Sequence, residues 1–222
     1  MDALKAIETR YKGYRFRSRL EARWAVFFDT LGIEYRYEYE GFDVTVAGWY
    51  LPDFYLPEQK YWIEIKGQWP TIKDKKKAFY FHLDVWNADD EVDELNDFHS
   101  VYVFWGDIPW PYPSKGNAIA APDIIDAGFY RQRYCWQQCP VCRRLGIGVM
   151  GEPFCAECLE RLRNAVSFEA EVTRIGHPAE PEALSEAARK VGIAVVNEDV
   201  FRSAHRSASL QLAYAEARGA RF

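Results

Sequence analysis

Three residues in one short stretch offer the clearest chemistry: Asp53, Glu64 and Lys66, within Tyr50 to Gly67 (YLPDFYLPEQKYWIEIKG). Glu64 and Lys66 stand two apart in a run of strand-forming residues. They therefore share one face, while Ile63 and Ile65 point the other way into a core. A short turn, Pro57 to Lys60, joins Trp49–Leu56 to Tyr61–Lys66 as an antiparallel pair and brings Asp53, in the first strand, within reach of Glu64. Two neighbouring carboxylates repel and are hard to keep ionised without a cation between them. Hard oxygen ligands of this kind suit Mg²⁺ or Mn²⁺, with the carbonyl of Ile65 as a further ligand. Such a centre is fit for phosphodiester hydrolysis: a divalent ion activates water and neutralises phosphate charge. Lys66 beside it can hold or deprotonate the attacking water and stabilise developing charge. The plainer reading of the Glu64-Ile65-Lys66 triplet is a salt-bridge pattern on a strand surface.

The elements that must position these groups are legible on either side. Ser18 to Leu31 predicts an amphipathic helix, with Leu20, Trp24, Phe27, Phe28 and Leu31 at helical spacing. Ser18 and Glu21 have the capping-box form, and Gly32 is placed to end the helix. Ile33 to Tyr39 alternates apolar and charged residues, the pattern of a strand with one wet face, and Gly41 breaks it. Lys73 to about Asn87 predicts a second helix, with Phe79, Leu83 and Trp86 on one side, and Ser100 to Trp105 another strand. Helix, strand, hairpin, helix, strand implies an α/β fold with a central mixed sheet flanked by helices.

Pro52-Asp53, ten intervening residues, then Glu64-Ile65-Lys66 resembles the signature of the PD-(D/E)xK nuclease superfamily. The resemblance is closer to the phage junction-resolving endonuclease I group. The matching features are Glu21 on a leading helix, the Gly32-Ile33 exit, Tyr35 to Glu40, Pro52 to Pro57, Glu64 to Gly67, Trp69 and the lysines Lys73 to Lys77. Similar cores occur in transposon end-cleaving and very-short-patch repair nucleases. It covers roughly Arg15 to Trp105, under half of the chain. It implies a restriction-endonuclease-like core and a Mg²⁺- or Mn²⁺-dependent endonuclease acting on DNA, on branched or distorted DNA in the nearest group. It also implies a catalytic set of Glu21, Asp53, Glu64 and Lys66, with Asp53, Glu64 and the Ile65 carbonyl on the metal. Glu21 has a simpler alternative, as the capping partner of Ser18 alone. Endonucleases of this group often act as homodimers.

Candidate DNA contacts surround this core. Lys73, Lys75, Lys76 and Lys77 crowd a helix start, where the macrodipole disfavours cations, which points to an external anion or else to a solvated face. Arg15, Arg17 and Arg19 precede the first helix and suit backbone phosphates. Trp69 suits stacking on an unpaired base, or serves as a loop anchor.

Cys139-Pro-Val-Cys142 and Cys155-Ala-Glu-Cys158 are two CxxC pairs twelve residues apart, the spacing of a tetrahedral, structural Zn²⁺ site. Cys135 is the extra thiol. The module could contact DNA through Arg131, Arg133, Arg143 and Arg144, or act as a folding staple or dimer contact.

The bulk properties bound these readings. The 222 residues, 49% hydrophobic and 16% aromatic, can build a real core and exclude a disordered chain. No apolar run reaches membrane-spanning length and no signal-peptide stretch is visible, so the expected location is the cytoplasm. A net charge of −5 speaks mildly against nucleic acid. The distribution matters more: Met1–Arg23 holds seven Lys or Arg against three acids, whereas Asp84–Asp107 holds eight acids and no Lys or Arg. The division expected is a nuclease domain over 1–128, a zinc-binding module over 129–165 and a helical C-terminal region over 166–222, with helices at Pro181–Val191 and Asp199–Arg218. A competing function is a DNA-binding or interaction subunit, active only within a recombination, transposition or restriction complex.

Overall fold

The computed structural model describes residues 6–88, 100–110, 117–121, 134–149, 155, 157–158 and 204–222. The helix expected at Pro181–Val191, and Arg131 and Arg133, lie outside them. The chain opens with a tight hairpin, β1 (Thr9–Tyr11) and β2 (Tyr14–Phe16), turned by Lys12 and Gly13 with φ of 45° and 86°. Helix α1 (Arg19–Leu31) follows, then β3 (Arg36–Tyr37), a hairpin of β4 (Phe42–Val44) and β5 (Gly48–Tyr50), β6 (Phe54–Leu56) and β7 (Tyr61–Lys66). Helix α2 (Ile72–Ala88), β8 (Ser100–Trp105), β9 (Ala118–Ala120), β10 (Tyr134–Gln138), β11 (Leu145–Val149), a 3-10 turn (Ala204–Arg206) and α3 (Ala208–Gly219) complete the described residues.

Seven strands form one mixed sheet in the order β11-β10-β9-β8-β7-β6-β3. The β7–β8 pair is parallel, with Glu64 opposite Val103, and its neighbours are antiparallel. A parallel pair needs a crossover, and α2 lies between β7 and β8 in the chain. The expected hairpin holds: Phe54 pairs with Ile63, Tyr55 with Trp62 and Leu56 with Tyr61.

Helix α1 forms as its caps prescribe. The Ser18 hydroxyl accepts from the Glu21 N–H at 3.1 Å, and Gly32 at φ 69° donates to the carbonyls of Phe28 and Asp29. Its buried side, Trp24, Phe27 and Phe28, packs on one face of the sheet against Phe54, Ile63, Ile65 and Phe104. Helix α3 adds Leu210, Ala213, Tyr214 and Ala217 at helical spacing to the same layer, with the Tyr214 and Phe27 rings 4.7 Å apart. Trp136 of β10 also enters it, 5.7 Å from Phe27. One apolar core thus runs through all three segments divided at 128/129 and 165/166. The opposite face carries a second layer, where Trp62, Val101 and Val103 meet Phe81 of α2 and Tyr50 of β5.

Two strands are shorter than their patterns predict. Within Ile33–Tyr39, Arg36 and Tyr37 alone pair in the sheet, because Glu38 adopts φ 45° and turns the chain away. Trp49–Leu56 is split between β5 in a separate two-stranded ribbon and β6 in the main sheet. Pro52, which has no N–H to donate, marks the break. Asp53 consequently sits in a bend just before β6 rather than inside a strand. The C-terminal helix is also later than the pattern suggests: Ser207 caps it, so it runs over Ala208–Gly219.

Candidate functional site

Asp53 and Glu64 meet where the second apolar layer ends. Glu64 projects from β7 on the α2 side, and Asp53 reaches it from the bend. Both are buried, at 2% and 8% exposure, which for carboxylates demands compensation. Asp53 receives the Ile65 N–H on Oδ2 and the Arg17 guanidinium on Oδ1, both at 2.7 Å. Lys66 places Nζ 2.5 Å from Glu64 Oε1 and 3.6 Å from Oδ1 of Asp74. Glu64 Oε2 and the Tyr50 hydroxyl are both buried, and Tyr50 is the one neutral donor that the fold sets beside this carboxylate among the described residues.

The compensation is incomplete. Burial first, then the charges of Glu64 and Glu21, hold the Asp53 carboxyl well above the usual range, against the Ile65 N–H and Arg17. Burial raises Glu64 as well, despite the adjoining ammonium of Lys66. Burial alone would lower Lys66, but Glu64, Asp53 and Asp74 outweigh it and hold the ammonium more firmly protonated. These groups open into a cleft of about 540 Å³, lined by Glu21, Asp53, Glu64 and Asp74 and by Arg17, Lys66, Lys73 and Lys77. Ile65 lines it too.

Glu21 borders this cleft, but its oxygens are taken. Oε1 accepts from Ser18 Oγ at 2.7 Å; Oε2 accepts from the Tyr37 hydroxyl at 2.6 Å and the Arg17 N–H at 3.0 Å. This is a variant of the capping box in which Glu21 takes the cap's hydroxyl and the N–H of the preceding residue, Arg17, rather than the N–H of Ser18 itself. Glu21 acts on the site through its charge on Asp53 and by fixing the Arg17 backbone. Arg17, a candidate phosphate contact in the sequence, lines the cleft and pairs with Asp53 and Glu38, its side chain still half exposed.

The other basic candidates are dispersed. Lys73 and Lys77 line the cleft, and Lys77 donates to the Trp49 carbonyl at 2.7 Å. Lys75 lies 4.6 Å from the centre of the Trp69 ring, which also meets Trp105 edge-on, and Lys76 is exposed just outside. Arg15 pairs with Glu8, and Arg19 is exposed; neither lines the cleft. Trp49, Tyr50 and Asp74, all in the lining of the cleft, went unread in the sequence. Asp74 completes a capping box with Thr71, accepting its N–H at 2.9 Å and its hydroxyl at 2.6 Å. The Thr-x-x-Asp spacing at 71–74 was the available signal, and this carboxylate offsets the crowding of lysines at the start of α2.

The four cysteines come together beyond β10. The turn closes with Cys139 N–H on the Arg144 carbonyl at 2.8 Å and Arg143 N–H on the Cys139 carbonyl at 2.9 Å, with Arg143 at φ 64°. All four sulfurs lie within 4.8 Å of one another, and Cys142 and Cys155 are 3.6 Å apart. A tetrahedron with metal–sulfur bonds of about 2.3 Å has edges of about 3.8 Å, so the set could hold a metal ion such as zinc. Among the described residues it is the one group of three or more His, Cys, Asp or Glu gathered so closely. Cys135 stands apart, buried, its thiol pushed up to about 12 by that burial. Arg144 pairs with Glu157 at 2.9 Å and Arg143 is exposed; neither lines the carboxylate cleft.

No helix among the described residues is long and apolar enough to cross a membrane. No family model, no curated protein and no solved structure matches this chain.

Proposed function

We propose that this protein is a divalent-metal-dependent endonuclease of the PD-(D/E)xK type, with a restriction-endonuclease-like core, hydrolysing phosphodiester bonds in DNA. The observation that carries the reading is the pair of buried carboxylates, Asp53 and Glu64, opening with Lys66 into one cleft. Burial raises both carboxyls, and the charge of Glu64 adds to the rise at Asp53, so the pair is short of positive charge. A hard cation on Asp53 and Glu64, with Ile65 beside them, answers both. Mg²⁺ or Mn²⁺ bound there would supply an activated water and charge neutralisation on the phosphate.

The chain's own groups divide the remaining work. Lys66, held protonated by three carboxylates, is suited to neutralising charge on a phosphate oxygen rather than to removing a proton. Ile65 fixes the Asp53 carboxylate through its N–H. Glu21 and Tyr37 hold the Arg17 backbone at the cleft's edge. Lys73 and Lys77 face the approaching backbone phosphates. The cysteine cluster, as a closed four-sulfur zinc site, serves folding.

The test is incubation of labelled duplex, nicked, single-stranded and four-way-junction DNA with Mg²⁺, Mn²⁺ or EDTA. Cleavage that needs the metal and that Asp53→Asn and Lys66→Met each reduce by about a thousandfold is the expected result. Metal-independent cleavage, or cleavage unchanged in both variants, overturns the reading.

A further inference from the structure

The β4–β5 ribbon carries an aromatic surface that the hydrolytic groups do not use. Trp49 is 63% exposed at the mouth of the cleft. Its indole lies against Gly41, so closely that a Cβ there would come within 2.1 Å of Cζ2 of the ring. Lys77 ties its carbonyl to α2. The ring is thereby seated against the ribbon while the residue stays 63% exposed, an arrangement that holds a large apolar side chain in water without burying it. Trp69 differs: it is also exposed, but Lys75 lies over its ring and Trp105 against it.

Beside Trp49 the cleft adjoins a second hollow of about 470 Å³ between Val46, Ala47 and Tyr80, and the two share Lys73 and Lys77. Lys76 borders the outer hollow. Lys73 and Lys76 have no ion-pair partner among the described residues. A line of ammonium groups beside a preset aromatic face matches a strand with its phosphates on one side and unstacked bases on the other. A base inside a duplex offers no free face.

Resting on the nuclease reading, we propose that Trp49, seated on Gly41, is a stacking platform for an unpaired base of a DNA strand whose phosphates follow Lys76, Lys73 and Lys77 toward Asp53 and Glu64. The preferred substrate is DNA with an unpaired stretch next to the scissile bond.

Fluorescence polarisation with a labelled oligothymidylate of about 15 nucleotides, in EDTA, tests it apart from cleavage. Trp49→Ala is expected to weaken binding about tenfold, and Trp49→Tyr to restore most of it by returning a π-face. Gly41→Ala, which evicts the indole, is expected to match Trp49→Ala, with circular dichroism checking that each variant is folded. Lys73→Gln with Lys76→Gln is expected to shallow the salt dependence by about 0.7 per lysine. Wild-type chain that fails to bind the oligonucleotide, binding unchanged in Trp49→Ala, or failure of Trp49→Tyr to restore it, overturns the proposal. Cleavage by wild type and Trp49→Ala alike would remove the platform and leave the nuclease. Trp49-dependent binding without metal-dependent cleavage would do the reverse.

Discussion

Arg17 sets its guanidinium 2.7 Å from Oδ1 of Asp53 while the Ile65 N–H holds Oδ2 at the same distance, yet burial still keeps this carboxyl hard to ionise. The Arg17 side chain is 53% exposed, so water screens the cation that pairs with Asp53. The site is thus built with a deficit of positive charge at its floor.

That deficit has a pH signature. Asp53 and Glu64 both titrate higher in the folded chain than the ordinary range of about 3.9–4.3. The stability their protonation contributes is fully present below that range and is lost as pH rises through the raised values. In metal-free buffer, Asp53→Asn should stabilise the fold by on the order of 1–2 kcal/mol near pH 7.5, the gain fading as pH falls toward about 4. Denaturant titrations at both pH values measure it. A gain of equal size at both would mean that ionisation of Asp53 is not its source.

The cysteine cluster closes the turn of a hairpin that belongs to the main sheet, and Trp136 of that hairpin lies against Phe27 and Phe28. A metal ion held by these four sulfurs would therefore brace the entire core, and its loss should weaken it. Metal analysis should find one zinc per chain, abolished by Cys139→Ser and retained in Cys135→Ala. Chelation should lower the melting midpoint by on the order of 10 °C, the shift that a loss of about 3–4 kcal/mol produces in a chain of this size. A midpoint indifferent to chelation would confine the cluster's role to the turn.

Tyr214 separates apolar packing from polar satisfaction. Its ring packs on Phe27, while its buried hydroxyl has no partner among the described residues. Tyr214→Ala should cost about 3–5 kcal/mol, as loss of a buried aromatic side chain does, and Tyr214→Phe should be neutral or stabilising. A large loss in Tyr214→Phe would show that the hydroxyl is bonded after all.

The capping box yields a smaller effect. Ser18→Ala removes the acceptor for the Glu21 N–H and should cost about 1 kcal/mol of stability. Cleavage in folded Ser18→Ala should persist, because Glu21 keeps Tyr37 and the Arg17 N–H. Abolished cleavage at full stability would instead place Ser18 in the reaction.

Much of this was open to reading in the sequence because it is local. The cap at Ser18, the C-cap at Gly32, the span of β7 and the common face of Glu64 and Lys66 depend on spacing along a few residues, and spacing sets which side chains share a face. The two CxxC pairs announced their own cluster for the same reason. What the sequence could not decide were choices between partners distant in the chain. Arg17 read as a phosphate contact, and only the fold shows that it also pairs with Asp53, thirty-six residues on. The alternation of Ile33–Tyr39 was cut short by a turn at Glu38 whose N–H bonds the Asp53 carbonyl. The cysteine module and C-terminal helix read as appendages, because nothing local records that Trp136 and Tyr214 bury themselves against Phe27. Burial is a property of the assembled layers, so the raised carboxyls of Asp53 and Glu64 and the seat of Trp49 against Gly41 exist only once those layers have closed.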